Sequence, residues 1–403
     1  MNTIMDYLRY HTHNGEITTD LKRLEGRQIP LAAGEFWTSG QRQASSLHEI
    51  SYRACFKPQL PSFFINMFTK TGDRVHDPFM GRGTTPLEAG LTGRKPSGND
   101  VNPLGKILVE PRFDPPTVEE VGDRLNAIDL RGGPDTDPDL SMFYHPETLR
   151  EIMALRGYLI DRKKDGEEDG IDRWIRMVAT NRLTGHSPGF FSAYTLPPNQ
   201  STSRERQVRI NSRRGQKPAY REIKPRIIKK TRSLLRNLAR DQLGNLKRVK
   251  DDLILTASDA RNIKDLETGS VDLTVTSPPF LDVVQYKNDN WLRAWFNGIE
   301  SDTGDKITME RGLEGWKKVM KESLSELRRV TGSGGIVAFE VGEVRKGSIK
   351  LDEIVLPLGM DVGFETLVLV HNVQNFTKTS NIWGVDNNRK GTNTNRIAIM
   401  KST

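Results

Sequence analysis

The chemistry of this chain is concentrated in two short stretches. In VDLTVTSPPF, residues 271–280, an apolar run ends in Thr276 and Ser277, two prolines and an aromatic ring. Proline has no N–H for a sheet ladder and fixes φ, so the backbone must leave the sheet here in one rigid conformation. The hydroxyl of Ser277, the stiff carbonyls of Pro278 and Pro279 and the ring of Phe280 are thereby gathered at a strand end. Such a turn can offer hydrogen-bond acceptors beside a stacking surface. An ordinary proline-rich surface loop is the bland alternative, but the apolar strand before it places the turn at the carboxyl edge of a sheet, where ligands bind in such folds.

The second stretch is VHDPFMGRGTTPLEA, with Gly81 and Gly83 just after a short strand and just before a helix. Glycines there allow a tight turn and close approach of a ligand, and the helix N-terminus offers free N–H groups. A phosphate loop would need Lys and then Ser or Thr after the second glycine, whereas Thr84 and Thr85 follow. The three-glycine dinucleotide fingerprint also fails, because Pro86 stands at the last glycine position. Asp77, at the mouth of the turn, would repel a pyrophosphate and could accept bonds from an ammonium group. A cationic amino-acid cofactor fits these residues better. Asp100 lies about 20 residues beyond the loop, where an acid can bond ribose hydroxyls; alone it reads equally as a helix cap. Asp259 in LTASDARNI ends the next strand, and contact with an adenine amino group competes there with turn capping.

These loops need a sheet to position them. Helix, strand, Gly-rich loop, helix and strand follow one another from residue 59 to residue 110, and the alternation resumes from LILTAS at residue 253 to the end. Strands alternating with helices imply a mostly parallel sheet covered on both faces. Residues 111–250 break the rhythm with charged helical patterns, a Pro/Asp-rich stretch and the loop LTGHSPGFFSAYTLPPNQSTS. The chain therefore divides into an N-terminal extension with a weak helix (1–50), a cofactor-binding half (51–110), an inserted segment (111–250) and a catalytic half (251–403).

Of 403 residues, 60 are Lys or Arg and 52 are Asp or Glu, a formal charge of +8. The excess is local: residues 201–250 hold 17 basic residues against three acids, Glu205, Glu222 and Asp241. A basic region of this kind points to a polyanionic partner. The single cysteine, Cys55, excludes internal disulfides and a cysteine-based metal site. No run of about 18 apolar residues exists, and the first 20 residues lack the basic-then-apolar order of a signal peptide. A soluble, cytoplasmic protein that does not engage a membrane is expected.

Together the two stretches make the chain resemble the S-adenosylmethionine-dependent DNA amino-methyltransferases. DPFMGRGTT is similar to their cofactor loop, YRACFKPQLPSFF to the segment that often precedes it and closes over the cofactor, and TSPPF to the catalytic tetrapeptide of the cytosine-N4 branch. The resemblance covers roughly residues 50–110 and 250–403. It implies an α/β fold: a seven-stranded, Rossmann-like methyltransferase sheet, mostly parallel with the last strand antiparallel, carrying a largely helical basic insertion. It implies S-adenosylmethionine bound by Asp77, Pro78, Phe79, Gly81, Gly83, Thr84, Asp100 and Asp259, and no metal.

An exocyclic amine is a poor nucleophile because its lone pair is delocalised into the ring. Two acceptors aimed at its hydrogens, Ser277 Oγ and the Pro278 carbonyl, would draw the nitrogen toward tetrahedral geometry, and Pro279 would stiffen the turn. Phe280 would stack on a nucleotide flipped out of duplex DNA. Tyr286 and Asp289 are candidate lining residues, although most of the aromatic stripe around them reads as core.

Too little chain follows Phe280 for anything beyond finishing the sheet, at roughly 30 residues per strand-helix unit. Recognition of double-stranded DNA is therefore expected from the insertion, with Arg213, Arg214, Arg226, Lys229 and Lys230 gripping phosphates. A basic helix that merely braces the sheet is the alternative. The insertion precedes the SDARN strand instead of adjoining TSPPF, a departure from the family order that bears on this role. Adenine N6 is the second target, an RNA or protein amide methyltransferase and a non-catalytic DNA-binding subunit are further readings, and a companion restriction enzyme is a conceivable partner.

Overall fold

The computed structural model describes residues 2–12, 16–37, 44–53, 55–132, 139–279, 286–299, 312–344, 349–373 and 394–403. Among the described residues eleven strands run in chain order as β1 (Ile17–Leu24), β2 (Arg27–Gly34), β3 (Arg74–Asp77), β4 (Lys95–Asn99), β5 (Ile254–Thr256), β6 (Val271–Thr276), β7 (Thr331–Val341), β8 (Glu343–Val344), β9 (Ile349–Lys350), β10 (Phe364–Val373) and β11 (Thr394–Ser402). Nine of them form one sheet in the order β1-β2-β10-β11-β7-β6-β3-β4-β5, and β8 pairs with β9 apart from it. From β7 to β5 the pairing is parallel throughout. The last strand, β11, runs antiparallel to both β10 and β7.

The helices are α1 (Asn2–Tyr10), α2 (Gln59–Phe68), α3 (Thr84–Leu91), α4 (Leu104–Val109), α5 (Val118–Ala127), α6 (Pro146–Lys164), α7 (Gly170–Arg182), α8 (Arg204–Arg214), α9 (Ile223–Leu235), α10 (Arg240–Val249), α11 (Tyr286–Phe296), α12 (Leu313–Val330) and α13 (Asp352–Asp361). Side chains of a strand alternate between the faces of the sheet, and β7 shows what this does for the layers. Val337 and Phe339 pack with Leu324 of α12 and Val355 of α13, while the intervening Ala338 packs with Leu8 of α1 and Phe64 of α2. Strands covered on both faces read as continuous apolar runs, which is why VDLTV carried so plain a signal.

The insertion is helical, from α5 to α10. Leu125, Leu155, Trp174, Ile227 and Leu246 share a single apolar cluster with Leu47, Ile50, Met80 and Leu87 beside the glycine turn, and with Leu292 and Phe296 of α11. Its helices start on regular caps, such as the reciprocal Thr117–Glu120 box at α5 and the Ser203 hydroxyl accepting from Arg206 N at α8.

The strand count corrects the expectation of seven. The seven expected strands are present, and the hairpin β1–β2 adds two more, with β2 running parallel to β10. Residues 1–50, read from the sequence as a polar extension with a weak helix, thus continue the sheet. The hairpin closes on Glu25 and Gly26, with φ of +46° and +78°, the left-handed pair that a two-residue primed turn requires. Asn-Gly or Asp-Gly is the usual signal for such a turn, and Glu-Gly concealed it. A non-glycine residue in this conformation costs about 1 kcal/mol. Glu25→Asn should therefore raise stability by roughly 0.5–1 kcal/mol, measured as the shift of the denaturation midpoint; an unchanged or lower midpoint would contradict the turn assignment.

Candidate active site

The two motif loops emerge side by side. β3 and β6 are parallel neighbours in register Val75↔Leu273 and His76↔Thr274, so both chains reach the same rim of the sheet within two residues. There the hydroxyl of Thr276 donates to Asp77 Oδ1 at 2.6 Å, joining residues 199 apart in sequence. The Thr85 hydroxyl at the start of α3 donates to the Val275 carbonyl at 2.9 Å. The glycine turn and the Ser-Pro-Pro turn are thus brought together.

Asp77 is buried, and burial pushes its carboxyl up to about 7 against the lowering effect of bonds from Thr276, the Phe79 N–H and Thr85. Asp100 follows the same logic. Burial raises it to about 6, opposed by the N–H groups of Asn102 and Gly81, each donating at 2.8 Å. The capping role of Asp100 is therefore realised, and each of its oxygens retains a further lone pair. Two carboxyls flanking the turn make it hostile to a phosphate, whereas a cation arriving there would restore Asp77 to its charged form.

The turn itself is tightly specified. Gly83 caps α3 at φ +74°, and a Cβ there would lie 2.2 Å from Val109 Cγ2. Pro78 is buried and its carbonyl accepts from Asn99 Nδ2 at 3.2 Å, Phe79 is half-buried, and Thr84 is buried in the first turn of α3. Gly81 faces Tyr52, whose ring lies 3.4 Å from where its Cβ would stand. The start of the segment expected to close over the cofactor loop thus lies on it, and Arg82 fastens the residues just before that segment by donating to the carbonyls of His48 and Ile50. Cys55 lies beside Gly81, and burial pushes its thiol up, away from nucleophile chemistry.

Beneath the turn sits a network the sequence did not announce. Asn99 Oδ1 accepts from the Thr256 hydroxyl (2.6 Å), the Ser258 N–H (3.0 Å) and the Ser258 hydroxyl (2.9 Å). With Nδ2 donating to Pro78 and Ser258 carbonyls, this one buried amide ties together the ends of β3, β4 and β5. Its only signal was its place before Asp100. Asp259, beyond β5, holds Arg261 through both oxygens at 2.9 and 2.7 Å and accepts from the Arg261 N–H, and Arg261 also reaches Glu322 at 3.0 Å.

On the catalytic side, Ser277 is half-buried and Pro278 buried. Trp316 of α12 donates its indole N–H to the Pro279 carbonyl at 3.0 Å and so holds the end of the turn. Nothing near TSPPF in sequence pointed to this tryptophan. Phe280 and the side chain of Tyr286 lie outside the described residues. Asp289 is buried in α11 and ion-paired with Arg53 at 2.6 Å.

The basic candidates divide. Arg213 and Arg214 are exposed at the end of α8, with Arg214 stacked 3.8 Å over Tyr194. Lys229 is exposed on α9. Arg226 is half-buried and donates to the carbonyls of Pro188 and Glu222. Lys230 is buried with Glu49 at 3.8 Å, and desolvation pushes its ammonium down to about 8. Among the described residues no cluster of three or more His, Cys, Asp or Glu is arranged to hold a metal ion, and no helix is long and apolar enough to cross a membrane.

Parallel strands delivering a glycine turn and a Ser-Pro-Pro turn to one rim define a mixed, mostly parallel α/β architecture. Residues 15–108 match the DNA methylase family. A type II methyltransferase of Kocuria varians (M.MvaI) is 22% identical over 280 residues, 64% of this chain and 58% of that protein. A tRNA (guanine(10)-N2)-dimethyltransferase of Methanocaldococcus jannaschii is 29% identical over 144 residues, 30% of this chain and 41% of that protein. The chain thus spans about half the length of these curated relatives. Among solved structures, TrmN from Thermus thermophilus aligns with 87% of this chain and 50% of its own at 12% identity and TM-score 0.32. A putative DNA modification methylase from the same organism, complexed with S-adenosyl-L-methionine, aligns with 36% of this chain and 53% of its own at 18% identity and TM-score 0.23. The family match and the Kocuria relative are likenesses to DNA methylases, and neither distinguishes the N4 from the N6 branch.

The raised carboxyl of Asp77 would make binding of a cationic ligand at this turn sensitive to acid. Below about pH 7 the free protein holds a proton on Asp77 that a cationic ligand must displace, so affinity for S-adenosylmethionine should fall between pH 7.5 and 5.5. Asp77→Asn should weaken binding roughly 10–100-fold and flatten that dependence, both readable by calorimetric titration. A wild-type profile in the variant would remove Asp77 from the cofactor site.

Proposed function

We propose that this protein transfers a methyl group from S-adenosylmethionine to the exocyclic N4 of a cytosine flipped out of double-stranded DNA. The observation that carries the reading is the hydrogen bond from Thr276 to Asp77, which sets the cofactor turn against the turn that begins at Ser277. When bound, the cofactor supplies a sulfonium methyl open to in-line attack. The chain's own contribution is positioning. Ser277 Oγ and the Pro278 carbonyl accept from the two amine hydrogens, and the turn is held rigid by its prolines and by Trp316, so these dipoles need no rearrangement as charge develops on nitrogen. Phe280 stacks on the extruded base.

Gly81, Gly83, Thr84, Pro78 and Phe79 form the cofactor turn, and Asp100 offers its remaining lone pairs to the ribose. Arg261 holds Asp259 through both oxygens, and Oδ2, which accepts one bond, keeps a lone pair for the adenine amino group. Residues 111–250 serve as the recognition segment, with the exposed Arg213, Arg214 and Lys229 on the phosphates, Arg226 able to join them only by leaving its carbonyl partners, and Lys230 bracing the fold from within. Adenine N6 is the second reading, since the same acceptors suit its amine. The relative named for a tRNA guanine amine makes RNA the third.

Incubation with DNA or RNA and labelled cofactor, followed by nucleoside analysis, separates these readings. N4-methylcytosine from DNA is expected, N6-methyladenine or a modified RNA nucleoside would redirect the assignment, and no labelled nucleoside from either would remove it. Ser277→Ala should lower kcat roughly 100–1000-fold while leaving cofactor affinity unchanged. Neutralising Arg213 and Arg214 together should reduce the slope of log DNA affinity against log salt by about one to two; an unchanged slope would place the DNA grip elsewhere.

A further inference from the structure

Glu340 is a buried acid that the sequence did not mark. It stands near the carboxyl end of β7, one residue past the pair Thr276↔Phe339, and so lies beside Ser277 where β6 gives way to the proline turn. Its residue is 6% exposed. A carboxylate at such a depth is expensive unless it accepts hydrogen bonds, and two donors reach this one. Asn395 of β11 donates from Nδ2 to Glu340 Oε1 at 2.6 Å, and the Ser277 side chain hydrogen-bonds to the same carboxylate. Asn395 lies diagonally across from Glu340, which is paired with Ile397, so both project from one face of the sheet.

We propose that Glu340, anchored by Asn395, is a positioning residue for Ser277: it takes the serine hydrogen and so leaves the Oγ lone pairs free to receive the target amine. The proposal rests on the role given to Ser277 above. Its physical basis is the donor inventory. An ionised carboxylate only accepts, so the hydroxyl beside it must donate its one hydrogen to it. A serine without that partner is free to turn its O–H toward the incoming nitrogen, where it would compete with the amine hydrogens it is meant to accept. Burial raises the Glu340 carboxyl, and the bonds from Ser277 and Asn395 oppose that rise.

The test compares Glu340→Gln, Ser277→Ala and the double variant, with labelled cofactor and the nucleic acid on which wild-type activity is found. Glu340→Gln keeps the shape and supplies donors where the carboxylate only accepted. Expected are a kcat roughly 10–100-fold lower, an unchanged KM for S-adenosylmethionine, and no further loss from E340Q once Ser277 is alanine. Glu340→Asp, which keeps the charge, should recover part of the loss. If E340Q melts earlier than wild type, Asn395→Ser decides: it leaves the carboxylate in place and removes its anchor, and a reduced kcat in a protein of wild-type melting temperature supports the proposal. A well-folded E340Q with wild-type kcat, or an Asn395→Ser variant with wild-type kcat, overturns it. Full activity in Ser277→Ala instead overturns the reading on which it rests, so the two failures are distinguishable.

Discussion

The hydrogen bond between Thr276 and Asp77 is short because two backbone strands leave it no choice. β3 and β6 pair in parallel, end together, and present a hydroxyl and a carboxyl at adjacent places on one rim. Parallel strands cannot be joined by a tight turn, so the chain between them must travel. Here it covers 199 residues from donor to acceptor. Every element of the intervening chain is consistent with returning β6 to the side of β3. The Thr85–Val275 bond adds a second tie, from the helix that follows the glycine turn. A site assembled on such strand ends inherits their rigidity, which is what catalysis by positioning demands.

The electrostatics of this rim favour a cation. A buried carboxyl, Asp77, and a half-buried one, Asp100, flank a turn whose geometry would otherwise suit an anion. The Gly81 N–H that could have met a phosphate is instead spent on Asp100. The polarity of an anion-binding turn has thus been inverted with its backbone shape kept, a distinction that rests on side chains next to the glycines and not on the glycines themselves.

Much of this was legible because it depends on residue types that have few alternative uses. Proline pairs, glycines at φ near +74° and apolar five-residue strands have narrow physical meanings, so the two turns and the parallel sheet could be read directly. What escaped notice depends on partners distant in sequence. Asn99, Trp316 and Glu340 are ordinary residues whose importance comes from what β5, the Pro279 carbonyl and Ser277 bring to them. The hairpin β1–β2 escaped because Glu-Gly is a weak turn signal and because a polar edge strand shows little hydrophobic alternation. Phe280, the remaining member of the proposed socket, lies outside the described residues.

The insertion shows why charge counting alone misleads. Its basic residues were counted as one population, and the fold separates them into two. Lys230 is buried beside Glu49, and the guanidinium of Arg221 donates to the carbonyls of Ser187, Phe190 and Ser192. These cations hold loops in place, and they do so where the insertion, the segment seated on the cofactor turn and the helix after the catalytic turn share one apolar cluster. Only side chains on the outer faces, Arg213, Arg214 and Lys229 among them, remain for a polyanion. Bracing and gripping are therefore not competing accounts of the same residues. The inner cations fix the helices from which the outer ones project, and the insertion is packed into the same apolar core as the glycine turn and α11.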